Sequence, residues 1–392
     1  MRILHVINSL NPLEGGTVEC VRQLATQMIL LGHEVEVISC KDTLGADWLG
    51  EFPALVHALG PGFGTYAYSP KLLKWLRGNA QRYDMIIVNG LWQYHGACVS
   101  RVANERNLNY VVYPHGMLDP WSRRAHPFKY VKKFLYWLCV ERRTLSRAAA
   151  LIFTSDEEAR LAPHFFPSAN WTAKIVGNGV ADPPDVSAQD VAAFRSDHGI
   201  PPDRVVWLFM SRLHSKKGLE DLIDSLSAVM AWPTPPIMVI AGGGKEEYVN
   251  QLKGRCNTLG LQKDVIWTGP IYSTAKWAAF RSAELFILPS HQENFGIVVA
   301  EALSVGLPVC TTKQVNIWSI VKNEKAGLIC EDNRTSLTSA LCAWRKLTIA
   351  ERGEFGKNAL RCYESHFKIS SVAGRLEIIL NELLEKRMRV MQ

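Results

Sequence analysis

Two carboxylates lie eight residues apart in the segment His291–Leu303, at Glu293 and Glu301. Val298, Val299, Ala302 and Leu303 surround Glu301 and give its stretch the character of an apolar helix. A carboxylate there is costly unless it accepts hydrogen bonds, and a ribose diol would supply two. A structural cap or a salt bridge would satisfy it equally. Glu293 stands just before the helix. Upstream, the run Ser211–Gly218 offers Arg212 and Lys217, a planar fork and a point charge of the kind that neutralises a diphosphate. A solvated basic loop has the same composition.

Three further groups carry polar chemistry. Glu14, Gly15 and Gly16 stand between the first strand and the first helix, where glycines let a ligand approach the backbone and a helix N-terminus faces an anion. The run is neither GxGxxG nor a phosphate loop, and a plain tight turn would use the same residues. Tyr113–Met117 closes a strand and contains His115, placed to meet a sugar hydroxyl or to serve the fold. Finally, Ser122–Arg147 holds eight basic residues and one acid, Glu141. On a helical wheel Lys129, Lys132, Lys133, Arg143 and Arg147 share an arc of about 100°. Val131, Phe134, Leu138 and Leu145 fall opposite. This predicts an apolar face packed on the domain and a basic face open to solvent, anionic lipid or a diphosphate-linked lipid acceptor.

The elements that must position these groups alternate. Arg2–Asn8 reads as a buried strand, Thr17–Leu31 as a helix and Glu34–Ser39 as a second strand, a βαβ unit that implies a parallel sheet. Strand-like runs recur at Asp84–Val88, Tyr110–Tyr113, Leu151–Thr154 and Lys174–Val176. The polar, Pro-containing stretch after Asn178-Gly179 reads as a linker. Alternation then restarts, with strands at Val205–Met210, Ile237–Ala241, Val265–Thr268, Leu285–Leu288 and Val309–Thr311, and the chain turns helical from about Thr335. The expectation is two doubly wound α/β domains facing a cleft, with ligands beyond the carboxyl ends of the strands.

Bulk properties agree with that picture. A chain of 392 residues suits two domains, and 47% hydrophobic with 21% charged residues is a globular composition. The formal charge of +7 favours anionic partners, among them phosphorylated small molecules and acidic membranes. Nine scattered cysteines without CxxC predict buried free thiols, with neither disulfides nor structural zinc. The N-terminus lacks a signal-peptide pattern and no apolar run is long enough to span a bilayer, so a cytoplasmic protein is expected.

In order along the chain stand Gly15-Gly16, Tyr113-Pro114-His115-Gly116, Asn178-Gly179-Val180, Arg212 with Lys217, and Glu293-x7-Glu301. This ordered set resembles the retaining glycosyltransferases of family 4, which have the GT-B fold. The resemblance implies residues 1–180 as an acceptor-side Rossmann-like domain, 181–370 as a nucleotide-sugar-binding domain, and 371–392 as a helix returning to the first. It implies that Arg212 and Lys217 bind the donor diphosphate, Glu301 the ribose and Glu293 the transferred sugar. The backbone of Asn294, Phe295 and Gly296 would meet phosphate or sugar. His115 would approach the sugar, Gly15 and Gly16 would line the cleft, and backbone contacts near Ile271 would select the base. Ala181 departs from the Asp that many members carry after Asn-Gly-Val.

The implied reaction is metal-independent, cofactor-free transfer of a hexose, with retention, from a nucleotide-diphosphate sugar. UDP is favoured as the nucleotide. The acceptor would be a glycan or lipid-linked glycan in polysaccharide biosynthesis, with peripheral membrane contact through residues 122–147 and no nucleic-acid partner. Cationic Arg212 and Lys217 would stabilise the leaving diphosphate, and no Asp-x-Asp motif occurs. A GT-B sugar-nucleotide 2-epimerase and a non-catalytic scaffold of polysaccharide assembly share these features. A nicotinamide-dependent dehydrogenase is disfavoured by the missing GxGxxG.

Overall fold

The computed structural model describes residues 1–121, 127–166, 170–230 and 232–391. The chain forms two compact units, Met1–Gly179 with Ile369–Gln392, and Val180–Lys368.

The first unit is built on a seven-stranded parallel sheet, β1 (Arg2–Ile7), β2 (Glu34–Ser39), β3 (Leu55–Ala58), β4 (Met85–Asn89), β5 (Tyr110–Tyr113), β6 (Ala150–Phe153) and β7 (Ala173–Ile175), in the order β3-β2-β1-β4-β5-β6-β7. Its central strands are buried along their length, as expected when helices cover both faces. The helix Gly16–Leu30 follows β1, and Val18, Val21, Leu24, Ala25 and Met28, recurring at three and four, are all buried. The closing helix Ile369–Met391 packs beside it through Val372, Leu376 and Leu380. Polar ties hold it there: His33 Nε2 and Glu377 Oε1 lie 2.9 Å apart, and Arg375 Nε donates to Val176 O at 2.9 Å.

The second unit has six parallel strands, β8 (Val206–Met210), β9 (Ile237–Ala241), β10 (Val265–Gly269), β11 (Leu285–Leu288), β12 (Val309–Thr312) and β13 (Gly327–Cys330), in the order β10-β9-β8-β11-β12-β13. The strands escaping the sequence reading, β3 and β13, are four-residue edges with half-buried patterns; His57 interrupts β3, and the apolar run of β13 is too short to tell a strand from part of a helix.

The basic stretch departs from expectation. Ser122, Arg123 and Arg124 lie outside the described residues, as does the Lys129 side chain. The helix Pro127–Tyr136 passes into a π-helical turn, Trp137–Glu141, before Arg142–Arg147 resumes as α-helix. The wider turn breaks the 100° period on which a continuous wheel depends. Tyr130, Lys133, Trp137 and Glu141 face inward instead, with Trp137 and Tyr130 each stacked 5.0 Å from Phe166. Val131 (59%), Leu135 (60%) and Leu138 (50%) are exposed, and only Leu145 of the expected apolar face is buried. Large aromatic anchors, with the Lys133 stem beside them, took the place assigned to the branched aliphatics.

All nine cysteines are free, and Cys139 is exposed rather than buried. Among the described residues no helix is long and apolar enough to cross a membrane.

Candidate active site

In each sheet the strand order reverses at one point, between β1 and β4 and between β8 and β11. Loops leaving such neighbours diverge and open a crevice beyond the carboxyl ends. In the second unit those loops are Ser211–Gly218 and Pro289–Gly296.

They are sewn together. His291 N–H donates to Lys216 O at 2.8 Å. Gly218 has φ +67°, and a Cβ there would sit 2.0 Å from Pro289 O, so any side chain would push the loops apart. Across this seam the ammonium of Lys217 is in contact with the Glu293 carboxylate, both largely buried. Glu293 is fixed through its backbone as well: its N–H donates to Gln314 O at 2.9 Å, and its C=O accepts from Asn316 N–H at 3.1 Å. Gly296 caps the helix Ile297–Ser304 with φ +77°, and a Cβ would lie 3.3 Å from both Glu293 Cγ and Val315 Cγ1. The tight turn therefore sets Glu293 beside the helix N-terminus.

A cavity of about 400 Å³ opens here, lined by Arg212, Lys216, Lys217 and Glu293 together with Gly243, Gly244 and Lys245 from the loop after β9. Four cations and one carboxylate around such a crevice create a positive field suited to an anion. Arg212 is exposed at this crevice and forms no ion pair with a described residue. The Gly242–Gly244 run was not singled out in the sequence, although glycines ending a strand at a ligand crevice were the available signal.

The other expected donor-site residues stand outside that lining. Glu301 lies one turn into the helix, and Lys276 Nζ donates to its Oε1 at 2.6 Å. The salt bridge weighed as its alternative partner is thus present. No motif marks Lys276, which reaches Glu301 from the separate helix Ser273–Ser282. Phe295 is buried against Phe367, ring centroids 5.6 Å apart, leaving only its backbone for a ligand. Asn294 Oδ1 accepts from Asn316 Nδ2 at 3.5 Å. Ile271, just past β10, is half-buried against the core. Near the loop after β11, Asp221, His291 and Asp332 cluster, with His291 Nδ1 and Asp332 Oδ1 2.5 Å apart.

In the first unit, Gly15 takes φ +87° and Gly16 opens its helix; both are exposed. His115 sits at φ +49°, stacked on Tyr113 with centroids 5.4 Å apart. Its Nε2 lies 3.3 Å from Asn89 Oδ1, and Asn89 Nδ2 lies 3.3 Å from His5 Nδ1. Burial lowers both histidines to about 4, with His115 a second cause for His5. His115 is therefore neutral at physiological pH, a hydrogen-bonding group and not a cation. Glu158 holds the turn, accepting from Gly116 N–H at 2.5 Å and from Thr154 N–H at 2.8 Å. Neither Asn89 nor Glu158 was foreseen; each acquires meaning only through a partner distant in sequence.

Two family models match the chain, a glycosyl transferase 4-like domain over residues 15–179 and glycosyl transferases group 1 over residues 190–360. The chain belongs to the group 1 glycosyltransferases. An uncharacterized glycosyltransferase of Methanocaldococcus jannaschii is 24% identical over 80% of this chain and 80% of its own length. A phosphatidyl-myo-inositol mannosyltransferase of Mycobacterium leprae is 28% identical over 50% of this chain, and the match spans about half, 52%, of that relative. Among solved structures, Anabaena HepE in complex with UDP and glucose aligns over 97% of this chain and all of its own, with a TM-score of 0.75 and 20% identity. The GT-B fold and the assignment as a glycosyltransferase follow. The two family models meet the two units separately, so the cationic crevice lies in the group 1 segment and His115 in the 4-like segment.

Proposed function

We propose that this glycosyltransferase moves a hexose, with retention and without a metal, from a nucleotide-diphosphate sugar to a glycan or lipid-linked glycan acceptor in polysaccharide biosynthesis. The observation that carries the reading is the crevice at the β8/β11 switch point, where Arg212 and Lys217 converge with Glu293 beside a helix N-terminus. The donor diphosphate lies on Arg212, Lys217 and the free N–H groups of that helix. Glu301, already oriented by Lys276, receives the ribose, and Glu293 contacts the hexose hydroxyls. UDP is the favoured nucleotide, a choice the UDP complex of the Anabaena neighbour supports.

In the reaction the bond between sugar C1 and the β-phosphate oxygen breaks and a bond from C1 to the acceptor oxygen forms on the same face. The acceptor proton passes to the departing phosphate oxygen. The two cations meet the charge that develops on the leaving diphosphate. The measurement is the anomeric configuration of the product by NMR. An α-linked product from an α-linked donor is expected, and a β-linked one would refute retention.

The same reading includes peripheral contact with an anionic membrane on its cytoplasmic side. Its support is the outward ridge of Val131, Phe134, Leu135 and Leu138, flanked by exposed Lys132, Arg142 and Arg143. The lipid acceptor in the name of the mycobacterial relative points the same way. The protein is expected to sediment with phosphatidylglycerol vesicles and Leu135→Glu to release it; unchanged sedimentation would remove the ridge from this role.

A further inference from the structure

Asn89 ends β4, the middle strand of the first sheet, and is 2% exposed. In the pairing of β4 with β1, His5 lies opposite Ile87 and Ile7 opposite Asn89, so His5 and Asn89 share one face of the sheet. His115 reaches the same amide from the turn after β5, whose Tyr113 is the register partner of Asn89. One buried amide thus stands between two imidazoles. His115 Nε2 is 3.3 Å from its Oδ1, and His5 Nδ1 is 3.3 Å from its Nδ2.

Only one orientation of that amide fits. Its Nδ2 also donates to Ile87 O at 3.2 Å and to Val6 O at 3.4 Å. Backbone carbonyls only accept, so a flipped amide would set oxygen against oxygen at both. Oδ1 is therefore the atom that faces His115, and it too only accepts. To meet it, His115 Nε2 must carry a proton. Burial lowers the ring to about 4, so at physiological pH it holds one proton and not two. With that proton on Nε2, Nδ1 keeps its lone pair. Among the described residues Nδ1 has no hydrogen-bond partner, and it is not enclosed. His5 takes the opposite part: its Nδ1 accepts from the amide.

The parts are held from other sides as well. The Asn89 carbonyl accepts from the buried His95 Nε2 at 3.0 Å, and Gly90 N–H donates to Tyr113 O at 2.9 Å. The His115 ring stacks on Tyr113, nearly parallel at 19°.

We infer that Asn89 is a positioning residue for transfer: it locks His115 in the Nε2–H tautomer, so that Nδ1 accepts a hydrogen bond from a sugar hydroxyl. This rests on the reading above, in which the substrates are sugars. Without the lock the imidazole divides between tautomers, and the Nδ1–H form puts a donor where the hydroxyl meets an acceptor.

Proton–nitrogen correlation NMR of the full chain, labelled with nitrogen-15 in histidine, reads the tautomer directly. In the unaltered protein His115 is expected to show a protonated Nε2 and an unprotonated Nδ1. The reverse pattern overturns the proposal, and this measurement needs no variant. In Asn89→Leu the His115 signals should become those of a tautomer mixture, and kcat for hexose transfer should fall about tenfold. In a His115→Ala background the same change should alter kcat by less than about twofold, because Asn89 acts through the ring. A purely structural role would instead repeat its full cost in that background. Additive losses, or an unchanged single tautomer in Asn89→Leu, overturn the proposal. The spectra report on His115 whether or not hexose is transferred. Product formation by the unaltered protein tests the transferase reading separately, so one can fail while the other stands.

Discussion

Replacing Glu293 by Gln is expected to lower sugar transfer by about 100-fold or more, roughly 2.7 kcal/mol of transition-state stabilisation, while UDP binding stays equal or tightens. The sign of the second effect comes from the contact between Glu293 and Lys217. The carboxylate occupies the ammonium, and under the proposed function the donor diphosphate competes for it. Glutamine keeps the shape, the backbone ties to Gln314 and Asn316, and the packing on Gly296, but releases the cation. What it loses, under the proposed function, is the negative group beside the carbon that becomes electron-poor as the donor bond breaks. The measurements are kcat for transfer and the Kd for UDP by calorimetry. Unchanged transfer would take Glu293 out of the reaction. A tenfold loss of UDP affinity would recast it as the residue that holds Lys217 in place.

The meeting of Lys217 and Glu293 also shows where sequence reading reached and where it stopped. Period and spacing located both on loops after strands, 76 residues apart. Their contact depends on β8 and β11 being neighbours, a fact of strand order that no local pattern carries. The Glu301–Lys276 bridge depends likewise on two helices packing side by side. Asn89 and Glu158 are single polar residues in ordinary contexts, and nothing short of the fold reveals that they hold His115 and Gly116. The basic stretch failed for a different reason. A wheel assumes one period, and the π turn at Trp137–Glu141 interrupts it. It also treats every apolar residue alike, whereas Tyr130 and Trp137 outweigh Val131 and Leu138 when only one face can be buried. The parallel alternation itself was readable because central strands such as β4, β5 and β6 are buried on both faces and strongly apolar, whereas His57 interrupts the edge strand β3.

The same π turn buries Glu141, and this leads to the second large expected effect. Burial raises its carboxyl to about 8 from an ordinary 4.5, against the opposing pull of the Trp92 N–H. An acid with a raised value in the folded state is ionised more readily when the chain unfolds. Below pH 4.5 both states hold the proton and no penalty exists. As pH climbs from about 4.5 to 8 the unfolded chain gains from ionisation while the folded chain does not, so stability falls through that window and levels off above it. Between pH 5 and pH 8 the linkage amounts to roughly 3–4 kcal/mol. Glu141→Gln keeps an acceptor for Trp92 and cannot ionise. The variant should therefore gain on the wild type with rising pH by about that amount in urea unfolding. Shared contributions, such as buried His5 and His95, which resist protonation and weaken the fold as pH drops below about 6.5, cancel in the difference. A difference between the two proteins that does not change with pH would mean that Glu141 is ionised in the fold. The backbone N–H of Trp92 would then hold a carboxylate rather than a neutral acid.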